Sequence, residues 1–383
     1  MSLPALPLTL LVALHAYIGL RLVPDLPPAA QPLAAAGLAL EFAAVYSGLG
    51  HVYGPRPTRG LLAWIGLGAL GFFSSLLVLT LLRDVLLLVL AAAGWLWAAI
   101  PGAAQAAPLT AVAVPALALA ASLLGLFYAR RPPPVRQVRV PVPGLPPALH
   151  GLRIAQISDL HVGPTIRADF VHRVVARVNA LQADIVAITG DSVDGSVAEL
   201  APHTAPLGQL QGRLGVYAVT GNHEYYSGGP AWIAEFRRLG IRVLMNEHLL
   251  LDIGGAPLLL AGVPDYTAHH FEPSHRSDPQ LALRGALPQA AFKVLLAHQP
   301  RTAPAAAEAG FDLQLSGHTH GGQFLPWRWF VPLQQPYVAG LRRHGRLWIY
   351  ISRGTGYWGP PKRLGAPSEI TELQLVREEA PLA

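Results

Sequence analysis

The sequence predicts an all-α transmembrane bundle of about five helices joined to an α/β domain, and three observations carry that prediction. The 383 residues are 52% hydrophobic and only 13% charged, too apolar for one ordinary soluble domain. The charge is unevenly placed: between Met1 and Ala129 the charged residues are Arg21, Asp25, Glu41, Arg56, Arg59, Arg83 and Asp84. Beyond Arg130 short β-branched runs alternate with helical stretches, the pattern of α/β crossover units.

A hydrocarbon core of ~30 Å needs ~20 mostly apolar residues per crossing helix. Runs of that kind cover 5–23, 33–50, 61–82, 85–101 and 108–128. PDLPPAAQP, GPRPTRG and PGAAQAAP separate most of them, while only Arg83-Asp84 divides the third from the fourth. That pair also admits one long kinked helix. The first run lacks the basic opening of a signal peptide, and further apolar runs follow it. His15 and Glu41 fall inside spans, where an ionisable group is a functional candidate; neither has a partner motif beside it, so a satisfied side chain is an equal reading. With five spans, the segment ARRPPPVRQVR shares a side with Arg21 and Arg83, opposite Arg56 and Arg59. The excess of arginine then places the soluble domain in the cytoplasm of a multi-pass cell-membrane protein.

Residues 130–150, RRPPPVRQVRVPVPGLPPALH, read as a proline-rich linker with an edge strand. The domain beyond it, 151–383, opens with LRIAQISD (152–159), then DIVAITGD (184–191), GVYAVTGN (215–222), FKVLLAHQ (292–299) and LQLSGHTH (313–320). All read as buried strands. RADFVHRVVARVNALQ, between the first two, spaces Phe170, Val174, Val175 and Val178 as a helix does. Each strand run ends on residues able to bind a metal: Asp159 with His161, Asp191, Asn222 with His223, His298, and His318 with His320. In open α/β sheets, sites form at the carboxyl ends of strands.

The chain has no cysteine, so thiolate sites and disulfides are excluded. Carboxylate, amide and imidazole donors suit Mn, Fe or Zn, and the nitrogens argue against a pure Mg or Ca site. The donors are too many for one tetrahedral ion and enough for two that share a carboxylate, the arrangement used for displacement at phosphorus. Asp159 and His161, two apart, point the same way as a strand leaves its sheet. His318 and His320 do likewise, with glycines allowing a tight turn. The net charge of +6 suits anionic headgroups, and no basic helix or aromatic–basic interleaving marks a nucleic-acid partner.

SDLH, GDSVD, GNHE, AHQP and GHTHGGQ, in this order, resemble the five motifs of the calcineurin-like metallophosphoesterases. The resemblance covers roughly 151–376, and the later YISRGTGYWGPPKRLGAPSEITELQL resembles the bacterial branch with a membrane-associated N-terminus. It implies a two-sheet sandwich flanked by helices. It also implies Asp159, His161, Asp191 and His320 on one ion, and Asp191, Asn222, His298 and His318 on a second, with Asp191 bridging. His223 would face substrate rather than metal. The chemistry implied is hydrolysis of a phosphate ester, with a hydroxide held between two divalent ions as nucleophile and no covalent enzyme intermediate.

Several residues admit a plainer reading. Asp194 shapes its loop or touches substrate. Gln323 reaches the metals or pins the glycine turn, and Arg353 meets substrate phosphate or a structural carboxylate. The aromatics Trp327, Trp329, Phe330, Tyr337, Tyr357 and Trp358 suit a membrane interface, an entrance for a lipid-like substrate, or the core. His269, His270 and His275 read as surface. Rival functions are a lipid- or nucleotide-linked pyrophosphate hydrolase and a non-catalytic metal-binding membrane sensor. A Ser–His hydrolase fails for want of G-x-S-x-G.

Overall fold

The structure, a computed structural model, describes residues 5–53, 60–96, 102–286 and 290–378. The chain divides into two compact units, Met1–Arg130 with Gly359–Leu364, and Arg131–Trp358 with Gly365–Ala383.

The first unit contains α1 (Ala5–Leu22), α2 (Gln31–Tyr53), α3 (Leu61–Leu96) and α4 (Ala103–Arg130), each long and apolar enough to cross a membrane. Five spans are therefore corrected to four helices among the described residues, because the third and fourth runs form the single 36-residue α3. Residues 97–101 of the expected fourth span lie outside the described residues, as do Arg56 and Arg59. The helix continues through Arg83 and Asp84 because other helices meet both charges. Arg83 donates to Asp25, to Thr110 Oγ1 at 2.9 Å and to the carbonyls of Arg21 and Ala107 at 2.8 and 3.0 Å. Asp84 accepts from the Tyr17 hydroxyl at 2.6 Å and from Arg21 at 2.8 Å. His15 and Glu41, unpartnered in the sequence reading, hold each other: Nε2 lies 2.5 Å from Oε2, and the imidazole stacks on Phe73.

The second unit runs β1 (Val135–Pro143), β2 (Arg153–Ile157), α5 (Ala168–Ala180), β3 (Ile185–Thr189), α6 (Val197–Thr204), β4 (Val216–Val219), α7 (Asn222–Tyr226), α8 (Gly229–Arg238) and β5 (Arg242–Val243). It continues with β6 (Glu247–Ile253), β7 (Ala256–Gly262), α9 (Pro279–Ala282), β8 (Phe292–Leu296), α10 (Ala303–Glu308), β9 (Leu313–Ser316), β10 (Gly340–His344), β11 (Leu347–Ile351) and β12 (Ile370–Glu378). Two six-stranded mixed sheets result, ordered β1-β12-β2-β3-β4-β5 and β10-β11-β9-β8-β7-β6. β1 is an outer strand, pairing in parallel with β12 alone, where Pro141 and Pro143 cost least.

The main core lies between the sheets and draws Ile154, Ile185, Ala187 and Leu373 from one and Leu258, Leu260, Val294, Leu296 and Leu313 from the other. The alternate residues Leu259, Ala261, Leu295, Ile349 and Ile351 pack with Ala303 and Ala306 of α10. Strands buried on both faces read as unbroken apolar runs, as these do. α5 buries its Phe170, Val174, Val175 and Val178 stripe.

Candidate metal centre

The turns that follow β2, β3, β4, β8 and β9 converge. Asp159, His161, Asp191, His318 and His320 hold left-handed backbone conformations, with φ of +53°, +51°, +53°, +70° and +51°. Non-glycine residues enter that region at a cost of about 1–3 kcal/mol each, and such costs gather at functional sites. Neighbours also crowd out anything larger than glycine: a Cβ on Gly317 would stand 2.2 Å from Asp159 Oδ2, and one on Gly221 would stand 2.1 Å from Asp191 Oδ1.

Three groups of donors form: the two that the strand-end motifs name, Asp159 with His161 and His320, and Asp191 with His298 and His318, and a third of His161 with Asp194 and His223. Asp191 lies between the first two, its Oδ2 3.1 Å from His298 Nε2 and 3.9 Å from His161 Nε2. Across the first group His161 Nε2 sits 3.0 Å from His320 Nε2; across the second His318 Nδ1 sits 3.2 Å from His298 Nε2. Asp159 Oδ2 and Asn222 Oδ1 are buried and accept no hydrogen bond among the described residues. A buried oxygen without a donor is costly, and both orphans belong to residues the motifs single out. The donor set fits divalent ions of the borderline kind.

The far side of several donors is fixed. His298 donates from Nδ1 to the Thr189 carbonyl at 2.8 Å, which leaves Nε2 as the free lone pair. His161 Nδ1 lies 2.9 Å from Asp194 Oδ1, and His223 Nδ1 lies 2.6 Å from the same oxygen. His223 Nε2 then faces the centre, 4.0 Å from Asp191 Oδ2. Asp159 Oδ1 accepts from the His318 backbone N–H and Asp191 Oδ1 from that of His223.

The charges respond to one another. Burial works against ionised Asp191, yet the imidazoles of His298 and His223 keep its carboxyl well below the usual range. Burial pushes the Asp159 carboxyl up. Burial also opposes charge on His223, but Asp191 and Asp194 lift that imidazole to about 9. Burial, then the charge on His298, presses His318 down to about 3.

Sequence reasoning missed several residues. Glu224, inside GNHE, is fully buried and accepts the backbone N–H groups of Gly221, Asp191 and Ser192 at 2.6, 2.9 and 2.6 Å. The glutamate that follows His223 was the available signal. Asp194 joins two imidazoles rather than only shaping a loop. Gln323 spends both ends of its amide on the Trp358 backbone at 2.8 Å, and Arg353 pairs with Glu369 at 2.8 Å. Tyr226 and Trp358 stand edge-on to His223, at 5.1 and 5.6 Å between centroids. Of the three outer histidines, His270 is exposed while His269 and His275 are half-buried, and His275 Nδ1 meets the Tyr225 hydroxyl.

A family model for calcineurin-like phosphoesterases matches residues 152–322. An uncharacterized metallophosphoesterase of Aquifex aeolicus is 34% identical over 222 residues, covering 57% of this chain and 83% of that protein. The chain belongs to the metallophosphoesterase family. A transmembrane protein with metallophosphoesterase domain from Bos taurus is 41% identical over 266 residues, 66% of this chain. The match takes in 60% of that relative, and 60% of its Danio rerio counterpart. Among solved structures, a putative 5'-nucleotidase from Staphylococcus aureus aligns with a TM-score of 0.37 and 15% identity, covering 60% of this chain and 55% of that one. The matched residues 152–322 take in the strand ends described above, and the apolar helices associate this member with a membrane.

Proposed function

We propose that this metallophosphoesterase is a multi-pass membrane protein that hydrolyses phosphate esters at a centre of two divalent ions, Mn, Fe or Zn. The observation that carries the proposal is a pair of adjacent donor groups, one of them holding Asp191, whose Oδ2 also lies 3.9 Å from His161 Nε2 of the other, with two buried oxygens, on Asp159 and Asn222, that accept no hydrogen bond among the described residues. Asp159, His161, Asp191 and His320 would hold one ion, and Asp191, Asn222, His298 and His318 the other. Where the protein alone draws protons onto His298 and His223, its anionic oxygens call for cations.

When bound, such a pair supplies an activated water and neutralises charge on phosphorus. The chain's own part centres on His223. Asp194 fixes its Nδ1, so Nε2 points into the centre with a proton to give the leaving oxygen. The Asp194 carboxylate, 2.6 Å from Nδ1, favours the protonated imidazole that such a donor requires. Glu224 holds the turns on which Asp191 and Asn222 ride.

The four-helix count gives the cytoplasmic orientation a new basis. By sequence order alone, four crossings would put Arg56 and Arg59 on the side of Arg130 and Arg131 and opposite Arg21 and Asp25, and the positive side is cytoplasmic.

The deciding experiment strips the detergent-purified protein of metal, resupplies Mn, Zn or Mg, and follows an aryl phosphodiester and the matching monoester. Restored turnover that disappears in Asp191→Asn and His320→Ala supports the reading. No turnover with any metal on either ester sinks it, and metal stoichiometry near one per chain sinks the two-ion centre.

A further inference from the structure

Directly after GHTHGGQ the chain reads FLPWRWFVPL, residues 324–333. Phe324 is buried, but Leu325, Trp327, Trp329, Phe330 and Leu333 stand 40%, 42%, 69%, 51% and 81% exposed. Soluble surfaces rarely gather so much apolar area in one place, and where they do it marks a contact. The segment is built rather than loose. Two successive 3-10 turns, Trp327–Trp329 and Val331–Leu333, carry it, with backbone bonds from Trp327 to Phe324, Phe330 to Trp327 and Leu333 to Phe330. Its base is locked to the metal-centre turn. Gly322 has no room for a Cβ because the Arg328 backbone lies 2.2 Å from where it would stand, and Phe324 bridges to Gly365.

We propose that this loop seats in the headgroup layer of a bilayer and holds the rim of the metal centre there. Two tryptophans and a phenylalanine around an exposed arginine make the composition of an interfacial belt, where rings sit among headgroups and the guanidinium meets phosphate. The same chain carries helices long and apolar enough to cross a membrane, and residues 131–134 alone separate the end of the last of them, α4, from the start of β1. A substrate delivered to this rim is an amphiphile whose phosphate already lies in the headgroup layer. That second step rests on the hydrolase proposed above; the seating of the loop does not.

The full chain, which has no cysteine, permits single nitroxide labels at Trp329→Cys and, as a control, at the exposed Asp252→Cys. In phosphatidylcholine vesicles with an anionic lipid added, the label at 329 is expected to be relaxed by oxygen and shielded from a water-soluble nickel complex, with the reverse at 252. Equal nickel access at both positions overturns the proposal. Shielding that vanishes when vesicles hold one chain each also overturns it, since a second copy would then be the cover. For the substrate, the variant Trp327→Ser/Trp329→Ser/Phe330→Ser is expected to cleave a water-soluble aryl phosphoester as wild type does. It should lose about tenfold on a dialkyl phosphoester embedded in the same vesicles, through lost effective concentration. Equal rates for variant and wild type on the embedded ester overturn the amphiphile step. Wild type inactive on both esters refutes the hydrolase while the label result still decides the loop.

Discussion

An imidazole has two ring nitrogens, and whatever the first one touches decides what the second can do. Asp194 Oδ1 sets that choice for two rings at once, lying 2.9 Å from His161 Nδ1 and 2.6 Å from His223 Nδ1. The first ring belongs to the metal-binding proposal and the second to the proton-donor proposal, so one carboxylate serves binding and turnover together. Asp194→Asn keeps the shape and removes the charge. We expect activity to fall by about 10- to 100-fold, the usual cost of losing a partner that orients a metal-binding histidine. Measured together, metal content and kcat should both decline; a loss confined to kcat would mean that His161 does not need Asp194. Glu224 works on the backbone instead, and Glu224→Ala would strand three buried N–H groups. Each stranded group costs about 1–3 kcal/mol, so a melting temperature within a degree of wild type would refute its role as a clamp.

At the scale of elements, α2 and α3 meet through glycine. A Cβ on Gly48 would stand 2.3 Å from the Gly66 carbonyl oxygen, and one on Gly66 would stand 2.7 Å from Gly48 Cα. Small residues let membrane helices approach this closely. Gly48→Val is therefore expected to destabilise the first unit by about 1–3 kcal/mol through overpacking, read as a lower melting temperature in detergent. The segment Gly359–Leu364 belongs to that unit as well. Its Lys362 donates to the Gly71 carbonyl at 2.8 Å and to the hydroxyls of Ser75 and Ser122, and burial holds the amine down to about 8. An amine lowered in the folded state disfavours folding below that value, and the cost fades as pH rises toward the ordinary lysine range. Stability should thus increase between pH 8 and pH 10, and Lys362→Met should flatten the trend. Little of this was legible in the sequence. Arg83 and Asp84 looked like a break because local pattern shows two charges in an apolar run, whereas their partners Asp25, Arg21 and Tyr17 sit in or just after α1, far away in the chain. The strand ends were legible for the opposite reason: a donor placed where a buried strand stops needs no distant residue to reveal it. The left-handed backbones and the Asp194 link depend on the fold and left no local trace.

For the whole molecule, the number of crossings and the arginine bias together decide which side of the membrane the proposed metal centre faces. Ala29, in the turn between α1 and α2, and Arg139, on the outer strand β1, are both exposed. Four crossings put three helices between these positions and set them on opposite faces; five would put four between them and set them on the same face. The chain has no cysteine, so Ala29→Cys and Arg139→Cys can each be probed in intact cells with a maleimide that does not cross membranes. We expect the first to react at once and the second only after lysis, which places the arginine-rich side and the metal centre in the cytoplasm. Reaction of both in intact cells would restore an odd number of crossings and expose the centre to the outside. Reaction of Arg139→Cys alone would keep four crossings and invert the protein. The headgroup seat proposed for residues 325–333 is then a seat in a particular leaflet: under the expected outcome, the amphiphile is drawn from the cytoplasmic face, where anionic lipids collect and Arg328 has phosphate to meet.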